Sequence, residues 1–440
     1  MKLKSLIPCT ILLSFSANSA EFLIKDLNRS KDKQSTWLVL PYAFSSDSMG
    51  LTVGAVALFD GYIQPQMTAV FSAFVGEELD IESKFTTETS KARAAGGLYA
   101  ITGYRPAPAS RLFISSMGAY GYYPNQRLYI DGSNDSERDL DSSDPAYTSP
   151  LTTEGYNNWF DITFRYVLPW GESKNNILPT IELRRGIAVN RDHIGGGEVF
   201  STGQTILGSE VFYSHWSAEA FEEEPTLNTN GIRFFLEHDN TDYPSNPSRG
   251  YAFTATTSMD FGLANSTQSW NSLDFDYKHY LTLPAASWMR QSVLAFNTWV
   301  AYSPSWDHSQ ALYPDGELDK NQTPMWEGAR LGGWSRLRAY DSNRFNDKAA
   351  LYGALEYRFI PRINPMADQA WNPFPIDWFQ VVLFAEAGRV AEDFSTELLQ
   401  DLKYDVGFSI RALAAKTPVR FEAAWGEEGS AMWVMLNQPF

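Results

Sequence analysis

The feature that most constrains this chain is an alternation of apolar and polar side chains with a period of two. It is sustained over about ten residues at a time and recurs from end to end, while amphipathic helical spacing is almost absent. Leu273, Phe275 and Tyr277 against Asp274, Asp276 and Lys278 show it plainly, one face apolar and the other charged. Sixteen such segments can be read: 49–60, 66–76, 94–104, 111–123, 156–168, 177–190, 207–218, 229–240, 250–261, 268–283, 288–303, 349–360, 378–390, 402–415, 419–426 and 430–440. A soluble sandwich also alternates, but it needs neither sixteen consecutive strands of this length nor aromatics so often near strand ends. A bilayer asks for both, with strands of about 9–11 residues closed so that no edge faces hydrocarbon, a polar lumen and aromatic girdles. The expected fold is all-β, a sixteen-stranded antiparallel transmembrane β-barrel.

Composition removes the competing classes. With 14 Trp, 22 Tyr and 28 Phe among 440 residues, the chain carries far more buriable surface than a disordered one. No run of 18 apolar residues occurs beyond the extreme N-terminus, so a helical membrane protein is excluded. Residues 1–20 have a basic start at Lys2 and Lys4, an apolar stretch from Leu6 to Phe15 and small residues from Ala17 to Ala20, the pattern of a secretory signal peptide. The single cysteine, Cys9, lies within it, so the mature chain is expected to hold no disulfide or cysteine metal site. Removing Lys2 and Lys4 leaves 33 basic against 52 acidic side chains, a net charge of −19, which makes nucleic acid an unsuitable partner. The organisation expected is a signal peptide over 1–20, a short periplasmic segment over 21–36 and a barrel over 37–440 in the bacterial outer membrane.

Short connections such as 106–110 and 284–287 suit one rim. Longer polar ones, 131–149 and 304–347, read as loops. With sixteen strands counted as above and both termini in the periplasm, parity puts the acidic 131–149 connection on the periplasmic side, and a strand at 81–90 in place of another segment would invert it. The acidic cluster Asp131, Asp135, Glu137, Asp139, Asp141 and Asp144 lacks the twelve-residue calcium-loop pattern, and a solvated loop is expected. His193, His215, His279 and His308 show no metal-binding spacing. No metal and no cofactor are expected.

The most informative stretch is 329–359, ARLGGWSRLRAYDSNRFNDKAALYGALEYRF. Gly332 and Gly333 permit unusual backbone angles. Arg338, flanked by apolar groups deep in a long loop, either hangs in water or folds into the lumen and finds a carboxylate. Here the sequence resembles the bacterial surface antigen superfamily, the outer-membrane barrels that include the outer-membrane protein assembly factor and the two-partner-secretion transporters. Members carry an arginine-glycine-aromatic motif at the tip of the sixth extracellular loop, inserted into the barrel and held by its arginine. Arg338, Ala339 and Tyr340 match it, with alanine where the family carries glycine.

Other segments resemble the family in the same order. Asp239-Asn240 through Pro247 to Gly250 is similar to its turn between strands eight and nine. Phe384 to Gly388, with Glu386, is similar to the motif of strand thirteen, and Gly407 to Arg411 to that of strand fourteen. Residues 41–55 look like its first strand, and Phe440, on one face with Met432, Val434 and Leu436, is the terminal aromatic of an assembly signal. The resemblance implies a charge-assisted pair between Arg338 and Glu386, with Glu356 and Asp405 as further candidate partners and Arg411 as another anchoring residue of the wall.

Residues 21–34 are too few for the periplasmic polypeptide-transport-associated domains that capture clients, so a bare barrel is expected. The resemblance implies translocation or insertion of protein or lipid at the outer membrane. The expected partners are outer-membrane lipids and lipopolysaccharide, the assembly machinery during insertion, and, as an open expectation, a separate periplasmic protein. A passive porin with the Arg338 loop as its constriction is the alternative. A third reading, a membrane phospholipase, needs a serine two residues after His238 as nucleophile, and that position is Asn240. No catalytic residue is expected, and the chain is not expected to be an enzyme.

Overall fold

The computed structural model describes residues 9–10, 23–27, 36–46, 49–82, 89–129, 132–134, 151–217, 226–307, 321–366, 376–414 and 416–440. Among the described residues there are sixteen long strands: β1 (Thr36–Ser46), β2 (Gly50–Asp60), β3 (Thr68–Glu82), β4 (Thr89–Tyr104), β5 (Leu112–Leu128), β6 (Leu151–Val167), β7 (Gln204–Ser217) and β8 (Thr226–Thr241). They are followed by β9 (Gly250–Phe261), β10 (Ser269–Thr282), β11 (Met289–Tyr302), β12 (Ala349–Pro361), β13 (Ile376–Ala391), β14 (Lys403–Ala414), β15 (Thr417–Gly426) and β16 (Gly429–Leu436). Each pairs antiparallel with the next along the chain, and the sheet order places β16 beside β1. At that seam Cys9–Thr10 runs parallel to β16, with Cys9 opposite Met432 and Thr10 opposite Trp433. No helix among the described residues is long and apolar enough to cross a membrane. Strands do the crossing, each hydrogen-bonded to the next along the chain.

Alternation sorts side chains as the bilayer requires. Leu273, Phe275, Leu383, Phe408, Ile410 and Phe421 are among the large apolar groups left exposed on the outside. Their strand neighbours Asp274, Glu386, Ser409, Arg411 and Glu422 point inward.

The strand set differs from the sequence reading in two places that cancel in number. Residues 36–46 form β1, although Pro41 and a near-continuous apolar run hide the alternation; proline is tolerated because β1 lies at the seam. Residues 177–190 do alternate, but they are not part of the wall. Thr180–Arg184 pairs antiparallel with Ile187–Ala188 and parallel with Leu23–Asp26, forming a small three-stranded sheet separate from the wall. Exchanging one strand for the other inverts every connection between them. The connection from β5 to β6 therefore lies on the rim opposite the termini, where long loops belong. Its acidic residues Asp131, Asp135, Glu137, Asp139, Asp141 and Asp144 lie outside the described residues. Of the 81–90 segment, residues 81–82 end β3 and pair with residues 89–90 at the start of β4, and the residues between lie outside the described ones.

The small sheet floors the barrel. Ile181 and Leu183 pack with Tyr243 of the β8–β9 turn, and Ile187 with Ile360, Trp378 and Leu413 of β12–β14. Trp378 Nε1 donates to the Gly186 carbonyl at 2.9 Å. A segment that leaves the wall after β6 thus reaches strands far round the ring.

The C-terminus also corrects the sequence reading. β16 stops at Leu436, Asn437 takes φ +63°, and the chain turns inward. Phe440 is buried in the main core cluster rather than sharing the lipid face of Met432. The alternation argument fails there because its register ends with the strand.

Candidate functional site

The site is built from inward-facing charges on β12–β16. Glu356 and Arg358 sit two apart on β12, Ser409 and Arg411 on β14, Arg420 and Glu422 on β15, so each pair shares a face. Glu386 on β13 stands opposite Asp405 on β14. Left alone, this wall would hold buried charges at heavy desolvation cost. The connection from β11 to β12 enters the lumen and completes it.

Arg338, at the tip of that connection, is fully buried. Its Nε donates to Glu386 Oε1 at 3.0 Å and its Nη1 to Glu422 Oε1 at 2.9 Å, and Nη2 lies 2.9 Å from Glu356 Oε1. Its guanidinium carbon is 3.6 Å from the centre of the Phe384 ring, a cation–π contact inside a dry site. The backbone is held as firmly: the Arg338 amide donates to Glu386 Oε2 at 2.8 Å and the Ala339 amide to Asp405 Oδ2 at 2.8 Å. Trp433 Nε1 donates to the Arg338 carbonyl at 2.7 Å, and Tyr340 Oη to the Tyr404 carbonyl at 3.1 Å. Tyr352 Oη donates to Glu386.

The surrounding charges close on one another. Arg411 Nη2 donates to Glu356 Oε1 at 2.8 Å and to Glu422 Oε1 at 3.1 Å, so it supports the carboxylates that grip Arg338 without touching the loop. Arg358 Nε donates to Glu356 Oε2 at 2.7 Å, and its Nη2 donates to the Phe440 carbonyl oxygen at 3.0 Å, which ties the C-terminus into the same network. Arg420 pairs with Glu422. Four arginines, Arg338, Arg358, Arg411 and Arg420, thus meet four carboxyl groups, Glu356, Glu386, Asp405 and Glu422, all almost completely buried. Such a network specifies position more than it adds stability, yet removing one member leaves charges stranded.

The tip geometry explains the alanine at 339. The left-handed residue is Leu337, at φ +52°, and not Ala339, which needs no glycine. Gly332 and Gly333, at φ +102° and +106°, pinch the neck of the loop: their amides donate to the Arg336 and Tyr340 carbonyls, and a Cβ on Gly332 would lie 2.3 Å from the Asp341 carbonyl oxygen. Above the neck, Arg344 Nη2 pairs with Glu428 at 2.7 Å and Tyr129 Oη donates to Asp341 Oδ2 at 2.5 Å. Glu327 accepts from Arg233 of β8 at 2.7 Å. These contacts fasten the loop to β8, the β15–β16 turn and the outer end of β5.

The β8–β9 turn is set by its own chemistry. Asp239 Oδ1 accepts from the Thr241 amide at 2.8 Å. Asn240 Oδ1 accepts from the Gly195 amide at 3.1 Å and from Thr202. Gly250 has φ +95°, and a Cβ there would sit 1.9 Å from the Asn240 carbonyl oxygen. Pro247 is buried between them. Asp242, just past the strand, accepts from the Ser248 and Arg249 amides, while its burial raises its carboxyl above the ordinary range.

The Omp85 superfamily domain matches residues 200–430, and that span holds both the loop and the wall that grips it. The chain belongs to the Omp85 superfamily. This is the family of the surface-antigen barrels that its motifs resemble, and the motif segments fall on β8–β9, β13 and β14 as in that family's order. It is therefore an outer-membrane β-barrel. Among solved structures, it is similar to CdiB from Escherichia coli, with a TM-score of 0.52 and 8% identity over 89% of this chain and 59% of that one. It is also similar to BamA from Haemophilus ducreyi lacking POTRA domains 1–3, with a TM-score of 0.47 and 10% identity over 91% of this chain and 69% of that one. At such identities the likeness concerns the fold. None of the curated proteins matches the chain.

For this Omp85 barrel, the anchoring set is wider than motif matching indicates. Glu422, Arg358, Arg420 and Trp433 were missed, although opposite charges at i and i+2 within a strand, as in Glu356-x-Arg358 and Arg420-x-Glu422, put two groups that can pair on one face. His238 lies outside this network. It faces the outer surface, with Nδ1 2.9 Å from Thr205 Oγ1 and its ring covered by Phe200, Tyr251 and Phe253. Asn240 is engaged by Gly195 and Thr202, away from the imidazole.

Proposed function

We infer that the protein is a plugged translocation or insertion barrel, in which the Arg338 loop holds the lumen closed between episodes of client passage. The observation that supports this most is the desolvation of Arg338 among Glu356, Glu386 and Glu422. A constriction that merely selects hydrated solutes keeps its charges wet, because ions must exchange with them. Here the arginine is spent on fixing the loop. The floor formed by Thr180–Arg184, the β8–β9 turn and the C-terminus reinforces the closure. On this reading lipid and lipopolysaccharide surround the barrel, the assembly machinery inserts it, and a separate periplasmic protein delivers the client. No hydrolytic step is proposed, since His238 has no serine beside it.

Conductance in planar bilayers tests the inference. Wild-type protein is expected to be mostly closed and Arg338→Ala to open in large steps. A large, stable, ion-selective pore that Arg338→Ala leaves unchanged contradicts it and makes the protein a porin. Absence of phospholipid release by the purified protein is the accompanying expectation.

A further inference from the structure

Opposite the charged wall the lumen has a different chemistry. Inward positions from Thr52 to Leu58 on β2, Val70 to Gly76 on β3, Ala94 to Thr102 on β4 and Phe113 to Gly121 on β5 carry no acidic or basic side chain. Cross-strand register joins them into a row: Val56 faces Ser72, Ser72 faces Leu98, Leu98 faces Ala119, and Ala119 faces Trp159 of β6; the uncharged strip ends at β6, where Asp161 on the same face stands opposite Met117. Val56, Leu58, Phe74, Leu98 and Met117 are only half-buried, and Trp159 is 37% exposed, although all six point away from the bilayer. The wall runs about 20 Å along each strand, at ~3.4 Å per residue over six residues. A barrel lumen is ordinarily polar, so an uncharged inner strip of this length is built for something apolar.

The periplasmic end of the strip supplies a cation. Arg165 on β6 faces Phe113 on β5 and is 7% exposed. It forms an ion pair with Glu237, Nε to Oε2 at 3.6 Å, and its guanidinium carbon lies 5.1 Å from the centre of the Phe235 ring, while its Nε and Nη1 find no hydrogen-bond acceptor among the described residues. A buried guanidinium with unfilled donors at the foot of an apolar strip matches one kind of molecule, an anionic group joined to a hydrocarbon tail. The strip begins at β2, beside the seam strand β1, so hydrocarbon inside and outside the barrel meet near one place.

We propose that the lumen holds a glycerophospholipid of the periplasmic leaflet, with an acyl chain along β2–β5 and its phosphate at Arg165. This deepens the translocation reading by naming the client class as lipid, and it rests on that reading for a lumen otherwise closed by the loop.

The test uses the full protein in nanodiscs of phosphatidylethanolamine and phosphatidylglycerol carrying a diazirine-labelled acyl chain, with adducts mapped by mass spectrometry after irradiation. Labelling is expected on inward Leu98 and Met117 as well as on outward residues such as Leu383. Arg165→Gln is expected to lower the inward labelling at least five-fold and leave the outward labelling unchanged. Leu98→Asp, which places a charge in the strip, should do the same. Adducts confined to outward residues in the wild type overturn the proposal, as does a photoreactive side chain at Met117 that captures polypeptide instead of lipid. Either failure leaves the plugged reading standing if Arg338→Ala still opens the channel. Inward labelling in a barrel that conducts freely would keep the lipid and discard the plug.

Discussion

The two halves of the lumen wall solve opposite problems with the same alternating pattern. On β12–β16 the inward positions are crowded with Glu356, Arg358, Glu386, Asp405, Arg411, Arg420 and Glu422, all buried, with the four carboxyl groups engaged by the entering loop. On β2–β5 they are Val56, Phe74, Leu98 and Met117, with small residues between, and they stay partly open. Charge brings a partner from within the chain, because unpaired ions cannot remain buried. The uncharged wall makes no such demand and is left free for a client. The plug is bound most densely to β12–β16, with further contacts at β8 and the outer end of β5.

The sharpest way to break this comparison is Arg338→Ala. It leaves Glu386 without its cation and removes one partner each from Glu356 and Glu422, and loss of one partner from a buried ionic set costs about 3–5 kcal/mol, so heat-modified gel mobility should show a large drop in the unfolding temperature. A small drop would mean that the charges reach water and the halves do not differ as described. Gly250→Ala disturbs the floor rather than either wall. Forcing φ +95° on a residue with a Cβ costs about 1–3 kcal/mol, visible in urea unfolding while conductance stays low. Trp433→Phe removes one hydrogen bond to the Arg338 carbonyl, worth about 1 kcal/mol, and should raise the frequency of brief openings in single-channel records. Leu98→Asn on the open wall should change stability by no more than about 0.5 kcal/mol, as for a surface position; a large loss in urea unfolding would show that the strip is covered.

Much of this was legible in the sequence because a barrel strand repeats every two residues and lipid enforces the repeat. The outward faces of β9–β15 follow directly from it. β1 was harder, since Pro41 and apolar neighbours on both faces blur the period, and 177–190 misled because a small sheet packed on one side alternates as well. Phe440 left its expected face once Asn437 turned the chain, a backbone event that periodicity does not encode. Within the site, Arg338 and Glu386 could be read from motif order, whereas Glu422 and Trp433 depended on the cross-strand register of β14, β15 and β16, which only the assembled ring fixes. What the alanine at 339 means for the tip depends on which residue adopts positive φ, and that role falls to Leu337.

The position of the loop is the claim on which the account turns, and a designed disulfide measures it directly. A Cβ built on Gly426 lies 3.1 Å from the Ala339 Cβ, close to the spacing of about 3.5–4.5 Å that a disulfide requires, and the chain's other cysteine, Cys9, lies within residues 1–20. Ala339→Cys with Gly426→Cys in the membrane-inserted protein should oxidise to a cross-linked form that runs faster on an unreduced gel. Thiols that stay free, and react at position 339 with a membrane-impermeant maleimide added from outside, would place the loop in solvent and contradict it.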